Sequence, residues 1–422
     1  MIIEFSVKNY RSIKELQTLS MLAAPIKSKK SELDTQNIIP VSENFSLLKT
    51  AAIYGANGSG KSSIVKAMLN MFVFIRDSFK NDKLGERIIQ PFELNDTSIY
   101  EPTFFQLIFI VGEVKYRYGF EIFKNEVVSE WLFGTPGKKE VYYFRRSDGK
   151  IDINKTKFPE GMGLIDKTSS NNLFLNIAKA FNGKESKKIL DYFELKIAIN
   201  LGVNDFGFRD TTLALLENSN VKNSILSLLN LADSGIEDIE NKKLEVEDVP
   251  ENAPKEIVDE INEGKIRFLL TKRKAYNEAG EKSHYQLFSM QENESEGTKK
   301  LFNYSGILIR ALTDGRALVI DEFDARLHPL ITKKIVELFN SKETNKRGAQ
   351  LIFVTHDTNL LDKDLLRQDQ IYFVEKNSKG ESEFYSLAEF KGIRNDASYE
   401  KDYIKGKYGA IPFLGDFTKL FD

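Results

Sequence analysis

Apolar residues follow two spacings along this chain, and these spacings separate strand-rich from helix-rich stretches. Runs typical of β-strands dominate the first part, at residues 2–7, 48–54, 104–110, 115–123, 126–133 and 141–144. Helical spacing predicts a helix over residues 63–79, directly after the second of these runs. The pattern therefore predicts a strand-rich N-terminal lobe around one helix.

Beyond residue 149 the spacing becomes helical, at 173–181, 187–192 and 225–231, and strand signals are few. Residues 236–265 are acidic and include Pro250 and Pro254, which predicts a solvated connector with short helices. Residues 267–276 and 284–290 predict a hairpin, after which a second α/β section begins. We therefore divide the chain into an N-terminal lobe (1–149), a helical insert (150–265), a C-terminal lobe (266–390) and a tail (391–422).

One glycine-rich loop suggests the chemistry of the N-terminal lobe. Residues 55–62, GANGSGKS, fit the phosphate-binding pattern G-x-x-x-x-G-K-[ST] at every fixed position, between a predicted strand and a predicted helix. In such a loop backbone N–H groups and the helix N-terminus face the phosphates, Lys61 reaches the β- and γ-oxygens, and Ser62 holds Mg²⁺. The alternative is a fortuitous glycine-rich turn. The predicted nucleotide-binding residues are Asn57, Gly58, Ser59, Gly60, Lys61, Ser62 and Ser63.

Composition indicates a globular protein and does not identify a binding partner. The 422 residues include 41% hydrophobic and 29% charged residues, which is ordinary for a globular protein of two or three domains. There are no cysteines, so disulfides, thiolate catalysis and Cys-based zinc sites are excluded. No apolar run approaches a membrane span, and we expect a cytoplasmic location without a signal peptide. A formal net charge of −2 predicts no global attraction to nucleic acid and leaves a local DNA contact open.

A second motif supplies the carboxylates that a phosphate-binding loop needs. Residues 317–322, ALVIDE, form an apolar strand that ends in two acids, the pattern of a Walker B motif. Asp321 is predicted to hold the Mg²⁺ shell and Glu322 to orient or deprotonate the attacking water. The alternative is an acidic helix cap after a core strand.

Two further segments fit the same site. Residues 295–301, SEGTKKL, which we call the signature segment, precede the Walker B strand, and they resemble a divergent signature of ABC-type ATPases. Ser295, Gly297 and a helix start would form a second anion site there, although an ordinary helix cap fits the same residues. His356 follows the apolar run 350–354, where a switch histidine would touch the γ-phosphate, and a surface histidine is the plainer alternative.

Three weaker candidates complete the predicted site. Arg11 follows the first strand and could lie near the nucleotide, or in an exposed turn. Gln90 could join the metal shell, although a loop glutamine is the commoner case. Asp324 could cross a dimer interface or cap a helix. The predicted metal ligands are thus Ser62, Asp321 and Gln90.

These motifs together resemble a known family. The chain resembles AAA-type, ABC/SMC-like ATPases of the RloA and AbiLi kind, which are related to the PARIS ATPase and to the heads of OLD-family proteins. The resemblance lies in residues 3–12, 55–62, 116–121, 295–301, 321–324, 327–329, 355–357 and the tail 403–412. The resemblance implies an α/β fold: a P-loop NTPase of the ABC type, whose heads sandwich ATP and Mg²⁺ as a homodimer or higher homo-oligomer. Glu296 and Thr298 depart from the usual signature.

The same resemblance implies a biological role. Such proteins act in prokaryotic antiphage defence beside a separate effector, often of the RloB or TOPRIM nuclease-like type. We therefore expect an ATPase with Glu322, His356 and Lys61 as catalytic residues, which switches such an effector. A RecF- or SMC-like protein that clamps DNA, and a scaffold that binds ATP without hydrolysis, are the alternatives.

Overall fold

The chain forms two compact units. The computed structural model describes residues 1–43, 45–202, 205–232, 234–243, 255, 267–393 and 397–412. The first unit comprises residues 1–202, 311–323 and 333–422, and the second comprises residues 203–310 and 324–332. No helix among the described residues is long and apolar enough to cross a membrane.

An antiparallel sheet contains most of the strands predicted in the N-terminal lobe. Its order is β10-β9-β8-β7-β6-β1-β2, and it belongs to the first unit. The strands are β1 (Ile2–Lys8), β2 (Gln17–Ser20), β6 (Thr103–Val111), β7 (Val114–Phe123), β8 (Glu126–Thr135), β9 (Val141–Ser147) and β10 (Lys150–Ile153).

A second sheet of the first unit is parallel except for its last strand. Its order is β11-β15-β16-β5-β17-β18. The strands are β5 (Thr50–Gly55), β11 (Ile197–Asn200), β15 (Ala317–Ile320), β16 (Gln350–Val354), β17 (Ile371–Lys376) and β18 (Ser382–Ser386). The hairpin β3 (Ile38–Ser42) and β4 (Phe45–Leu48) precedes β5.

The described helices vary in length from one turn to five. They are α1 (Leu33–Gln36), α2 (Lys61–Asp77), α3 (Leu84–Ile88), α4 (Phe174–Ala180), α5 (Lys184–Lys196), α6 (Phe206–Leu215), α7 (Ser219–Asn230), α8 (Met290–Asn293), α9 (Glu296–Asp314), α10 (Pro329–Asn340) and α11 (Tyr399–Ile404). The second unit also holds a sheet of β12 (Asp238–Lys243), β13 (Arg267–Tyr276) and β14 (Lys282–Ser289).

The core of the first unit lies around α2 and the two sheets. All six residues of β5 are buried, because a central strand of a parallel sheet is covered on both faces. Helix α2 buries Ile64, Met68 and Met71 at helical spacing in the same apolar cluster. The loop between β5 and α2 is therefore fixed at both ends by buried elements.

The structure differs from the sequence prediction in the middle of the chain. Lys150–Ile153 is a strand of the antiparallel sheet, and Ile197–Asn200 is a strand of the parallel sheet, so the first unit extends to Gly202 instead of residue 149. The helical spacing of this stretch predicts its helices, but it does not indicate that short strands at either end join the two sheets of the first unit. Asp238–Lys243 is a strand where we predicted short helices, since its charged side chains hide the strand pattern. Residues 244–254 and 256–265 of that connector lie outside the described residues.

Candidate nucleotide site

The phosphate-binding loop has the backbone that its glycines predict. It joins β5 to α2, and Gly58 and Gly60 have φ values of +76° and +108°. A Cβ at Gly58 would meet nothing within 4 Å, but a Cβ at Gly60 would lie 2.7 Å from the Ser12 hydroxyl and would overlap the hydroxyl of Ser382. Glycine is therefore required at Gly60 for both conformation and space. Asn57 and Gly58 are exposed at the tip of the loop.

Lys61 lies inside the loop. The side chain is buried, and Nζ donates hydrogen bonds to the backbone oxygens of Gly55 and Ala56, each at 2.8 Å. Gly55 is the last residue of β5, so the ammonium group lies at the carboxyl end of that strand. The position fits a lysine that reaches bound phosphates.

Two distant segments support the loop through serine side chains. Ser382, at the start of β18, donates a hydrogen bond from its hydroxyl to the backbone oxygen of Ser59 at 2.6 Å, and its backbone N–H donates to the oxygen of Ser12 at 2.7 Å. The hydroxyls of Ser12 and Ser63 share a hydrogen bond of 2.8 Å. Sequence reasoning missed Ser382, because no local pattern links a residue to a loop some 320 positions away.

An ion pair joins the hairpin of β17 and β18 to the turn that follows β1. Lys14 Nζ lies 2.9 Å from Glu381 Oε1, next to Ser382. The hydrogen bond from Lys14 lowers the pKa of Glu381. The turn after β1 and the turn before β18 therefore approach the loop as one connected layer.

A cavity of about 620 Å³ opens beside the loop. Arg11 and Gln90 both line it, and the backbone N–H of Arg11 donates to the oxygen of Gln90 at 2.7 Å. The structure thus brings these two predicted residues to the loop. The other residues that line the cavity are Ser12, Gly58, Gly60, Lys61, Ser62, Ser63, Lys66, Pro91, Phe92, Glu93, Leu94, Lys376 and Gly380.

The Walker B acids lie at the same edge of the parallel sheet as the loop. Ile320 pairs with Phe353 of β16, and Phe353 pairs with Ala52 of β5, so all three strands end at one edge. Since neighbouring strands lie about 4.8 Å apart, β15 lies about 10 Å from β5. Asp321 follows β15 directly and is buried, with 3% of its surface exposed.

Glu322 is exposed and has a left-handed backbone, with φ of +48°. Its N–H donates to Oδ1 of Asp321 at 3.1 Å. A Cβ at Gly202, which follows β11, would lie 2.8 Å from Cβ of Glu322, so this glycine leaves room for the acid. A strained backbone at a non-glycine residue is frequent at functional sites. No sequence signal had indicated Gly202.

His356 lies between the two motifs in the sheet. It follows β16, which separates β15 from β5, and the preceding residue, Thr355, donates its backbone N–H to the oxygen of Ile53 at 3.2 Å. The imidazole is exposed at the sheet edge that also carries Asp321 and the loop. The phosphate-binding loop, Asp321 and His356 therefore lie at one edge of the parallel sheet.

Ser295 and Gly297 belong to the second unit, at the start of α9. The Ser295 hydroxyl accepts a hydrogen bond from the N–H of Thr298 at 3.2 Å, as a helix cap does, and both side chains line a cavity of about 330 Å³. A Cβ at Gly297 would lie 2.9 Å from the backbone oxygen of Arg326. Asp324, in the same unit, is half-buried.

The residues present fit a nucleotide and a hard cation. The buried Ser59 hydroxyl has no hydrogen-bond partner among the described residues, although it lies in the loop that would surround a phosphate. Ser62 and Asp321 offer a hydroxyl and a carboxylate oxygen, the donors that Mg²⁺ prefers. No cluster of three or more His, Cys, Asp or Glu residues suited to a metal ion occurs in the described part of the chain.

Comparison with known families decides the identity of this fold. Residues 51–362 match the profile of the family described as "AAA domain, putative AbiEii toxin, Type IV TA system". The chain belongs to this AAA family. The match spans the loop, the signature segment and Walker B, and it confirms the predicted AAA-type ATPase family of abortive-infection type. The α/β P-loop class is confirmed as well.

Solved structures with similarity to this AAA chain include heads of SMC proteins. An SMC head bound to the C-winged helix domain of ScpA is 15% identical, with a TM-score of 0.42, and the alignment covers 91% of this chain and 97% of that one. The SMC head of Thermotoga maritima is 13% identical, with a TM-score of 0.39 and coverage of 91% and 98%. No curated protein matches the sequence. Since both TM-scores lie below 0.5, the assignment rests on the family match.

Proposed function

We propose that this protein binds and hydrolyses ATP with Mg²⁺, and that hydrolysis switches a prokaryotic antiphage system. The observation that carries the proposal is the common sheet edge of Lys61, Asp321 and His356. At this edge a bound phosphate would lie near the ammonium group of Lys61 and the imidazole of His356, and the carboxylate of Asp321 would be available to a cation. The family match supports the same reading.

Each side chain has a separate task in hydrolysis. Lys61 and the backbone N–H groups of Asn57 to Ser63 hold the β- and γ-phosphates, and Arg11 lies beside them in the cavity. Ser62 and Asp321 would hold Mg²⁺, with Gln90 as a further candidate ligand, and the ion would neutralise charge on the phosphates. Glu322 accepts a proton from water as its oxygen bonds to the γ-phosphorus, and the bond from that phosphorus to the bridging oxygen breaks. His356 orients the γ-phosphate.

The second half of the site comes from a partner copy. Ser295, Gly297 and the N-terminus of α9 would meet the γ-phosphate held by the other subunit, since a helix start favours anions. Two heads would then enclose two nucleotides. Because ATP binds the dimer better than the monomer, it favours association, and hydrolysis releases the heads.

The output of this switch is a separate effector protein. The family description refers to a putative AbiEii toxin of a type IV TA system. Support for a separate effector comes from the resemblance to RloA and AbiLi ATPases, which implies a smaller partner of the RloB or TOPRIM nuclease-like type. We propose that the ATP-bound dimer holds the effector inactive and that infection changes its nucleotide state. Copurification with the product of the adjacent reading frame identifies the partner.

The central test compares two variants of the site. Glu322→Gln should keep ATP affinity and lose at least about 100-fold in turnover, and it should hold the dimer together. Lys61→Ala should lose nucleotide binding altogether. Phosphate release, calorimetry and light scattering measure the three properties. Glu113→Gln, at an exposed turn between β6 and β7, is the matched control. Wild-type turnover by Glu322→Gln, or wild-type ATP affinity of Lys61→Ala, contradicts the proposal.

One observation favours DNA as an additional ligand. A second cavity of about 620 Å³ in the second unit is lined by five cationic and two acidic side chains: Arg209, Arg267, Lys299, Lys300, Arg326, Asp205 and Glu296. Such an excess of positive charge suits phosphate backbones. Duplex DNA added to the same phosphate-release assay separates the alternatives, since salt-dependent stimulation favours an SMC-like clamp.

A further inference from the structure

The signature segment contains an ion pair that its family pattern does not explain. Glu296, in a position where the usual signature has a different residue, accepts a hydrogen bond from Arg326 Nη1 at 2.9 Å. Arg326 follows Walker B by four positions and lines the same 330 Å³ cavity as Ser295 and Gly297. An arginine with five donors therefore lies at the proposed γ-phosphate subsite.

Arg326 is connected to the signature segment through its backbone as well. Its φ is +66°, a conformation that costs a non-glycine residue about 1–2 kcal/mol. A Cβ at Gly297 would lie 2.9 Å from the carbonyl oxygen of Arg326. The loop after Walker B and the start of α9 thus pack closely, which places the backbone of Arg326 beside Gly297.

The ion pair is weak enough to exchange. The side chains of Arg326 and Glu296 are 65% and 59% exposed, and exposed pairs contribute only about 0–1 kcal/mol. Lys299 also pairs with Glu296, at 3.0 Å, and the hydrogen bond from Lys299 is the main cause of the lowered pKa of this glutamate. When Arg326 leaves, Lys299 still neutralises the carboxylate. Arg–phosphate contacts are stronger, because they are bidentate and charge-assisted.

We propose that Arg326 is a catalytic arginine that acts across the dimer interface. Glu296 holds it in the free monomer, and it moves to the γ-phosphate bound by the partner when the heads associate. There the guanidinium neutralises the charge that develops as water bonds to phosphorus and the bridging oxygen departs. This inference rests on the proposed ATPase function and adds the residue that makes each site depend on its partner.

Two substitutions test the role of the side chain. Arg326→Ala should lower kcat about 100-fold or more and leave ATP binding by the monomer unchanged, and Arg326→Lys should recover only part of the rate. Glu296→Gln should raise kcat or the affinity of the dimer, because the arginine is released. Arg145→Ala is the matched control, since Arg145 is 54% exposed and pairs with Asp152 at the same distance of 2.9 Å. Unchanged kcat in Arg326→Ala overturns the proposal.

A mixture of inactive variants tests whether Arg326 acts on the partner. In a dimer of Arg326→Ala and Lys61→Ala, the intact loop of one subunit faces the intact arginine of the other. Half of the dimers in an equal mixture are of this kind, and each has one working site, so turnover should return to about a quarter of the wild-type value. No recovery shows that Arg326 acts within its own subunit or only in folding, and overturns the proposal.

The outcomes also separate this inference from the proposed function. If the wild-type protein releases no phosphate, or Glu322→Gln turns over normally, the ATPase proposal fails first. If the wild type is active and Arg326→Ala keeps wild-type turnover, as the control Arg145→Ala should, the ATPase proposal stands and the proposed role of Arg326 is wrong.

Discussion

The phosphate-binding loop and the signature segment form the two halves of the proposed site, and they differ in how firmly each is held. In the loop, Lys61 is 6% exposed and Ser59 is 4% exposed, with hydrogen bonds from Ser382 and within the loop itself. Glu296 of the signature segment and its partner Arg326 are more than half exposed and touch through a surface ion pair. The loop is thus held by buried residues behind its exposed tip, whereas the Glu296–Arg326 pair lies on the surface.

This difference matters for control. Under the proposed function, the loop binds nucleotide within one subunit, and the exposed signature segment is covered only when another copy associates. The proposal therefore separates nucleotide binding, which one subunit would perform, from hydrolysis, which would require two. Changes to the loop should act on binding, and changes to the signature segment should act on association.

The largest effect is expected from a glycine in the loop. Gly60→Ala places a Cβ against the hydroxyls of Ser12 and Ser382 at a φ of +108°, so ATP affinity should fall about 100-fold or more. Gly58→Ala is the matched control, because its φ is also positive but a Cβ there meets nothing within 4 Å. It should lower stability by about 1–2 kcal/mol and leave affinity within about threefold. Calorimetry measures the ATP affinity and the stability of each variant. Equal ATP affinities in Gly60→Ala and Gly58→Ala would contradict the claim that Gly60 is needed for space in the loop.

An intermediate effect is expected at the signature segment. Ser295→Arg adds bulk to the cavity beside Gly297 and should weaken ATP-driven dimerisation at least about tenfold, with nucleotide binding by the monomer unchanged. Light scattering with and without ATP measures association. Ser224→Arg, at an exposed position of α7, carries the same change elsewhere in the second unit. Dimers of normal strength in Ser295→Arg would remove this segment from the interface.

The smallest effect is expected from a supporting hydrogen bond. Ser382→Ala leaves the backbone oxygen of Ser59 without its side-chain donor, a loss of about 1 kcal/mol, so ATP affinity should fall about fivefold. Dimerisation of the nucleotide-bound heads should remain unchanged. Ser378→Ala, at an exposed position in the same hairpin, is the control. A larger effect on association than on binding would show that the hairpin serves the interface instead of the loop.

The sequence predicted the motifs of the site because each has a local pattern. The loop is defined by fixed positions within eight residues, and Asp321 and Glu322 end an apolar strand. The parallel strands then bring these ends to one edge, which is a general property of such sheets. The structure brings Lys61, Asp321 and Glu322 to that edge, and their roles in nucleotide binding and hydrolysis stay predictions.

Other parts depended on contacts between distant residues. Ser382 contacts the loop from 323 positions away, and Gly202 approaches Glu322 from a distant part of the sequence. Neither residue has a motif of its own. The extension of the first unit to Gly202 was missed for a similar reason, since four residues at Ile197–Asn200 join β15 by pairing that no local pattern indicates. The charged strand Asp238–Lys243 lacked an apolar repeat.

The order of strands in the parallel sheet has a consequence for how this protein is made. Strand β5 lies between β16 and β17, which are translated about 300 residues later. At a rate of ~5–20 residues per second, the ribosome leaves this apolar strand without its neighbours for roughly 15–60 s. The edge of the parallel sheet that carries the phosphate-binding loop therefore forms only after β16 and β17 have been translated.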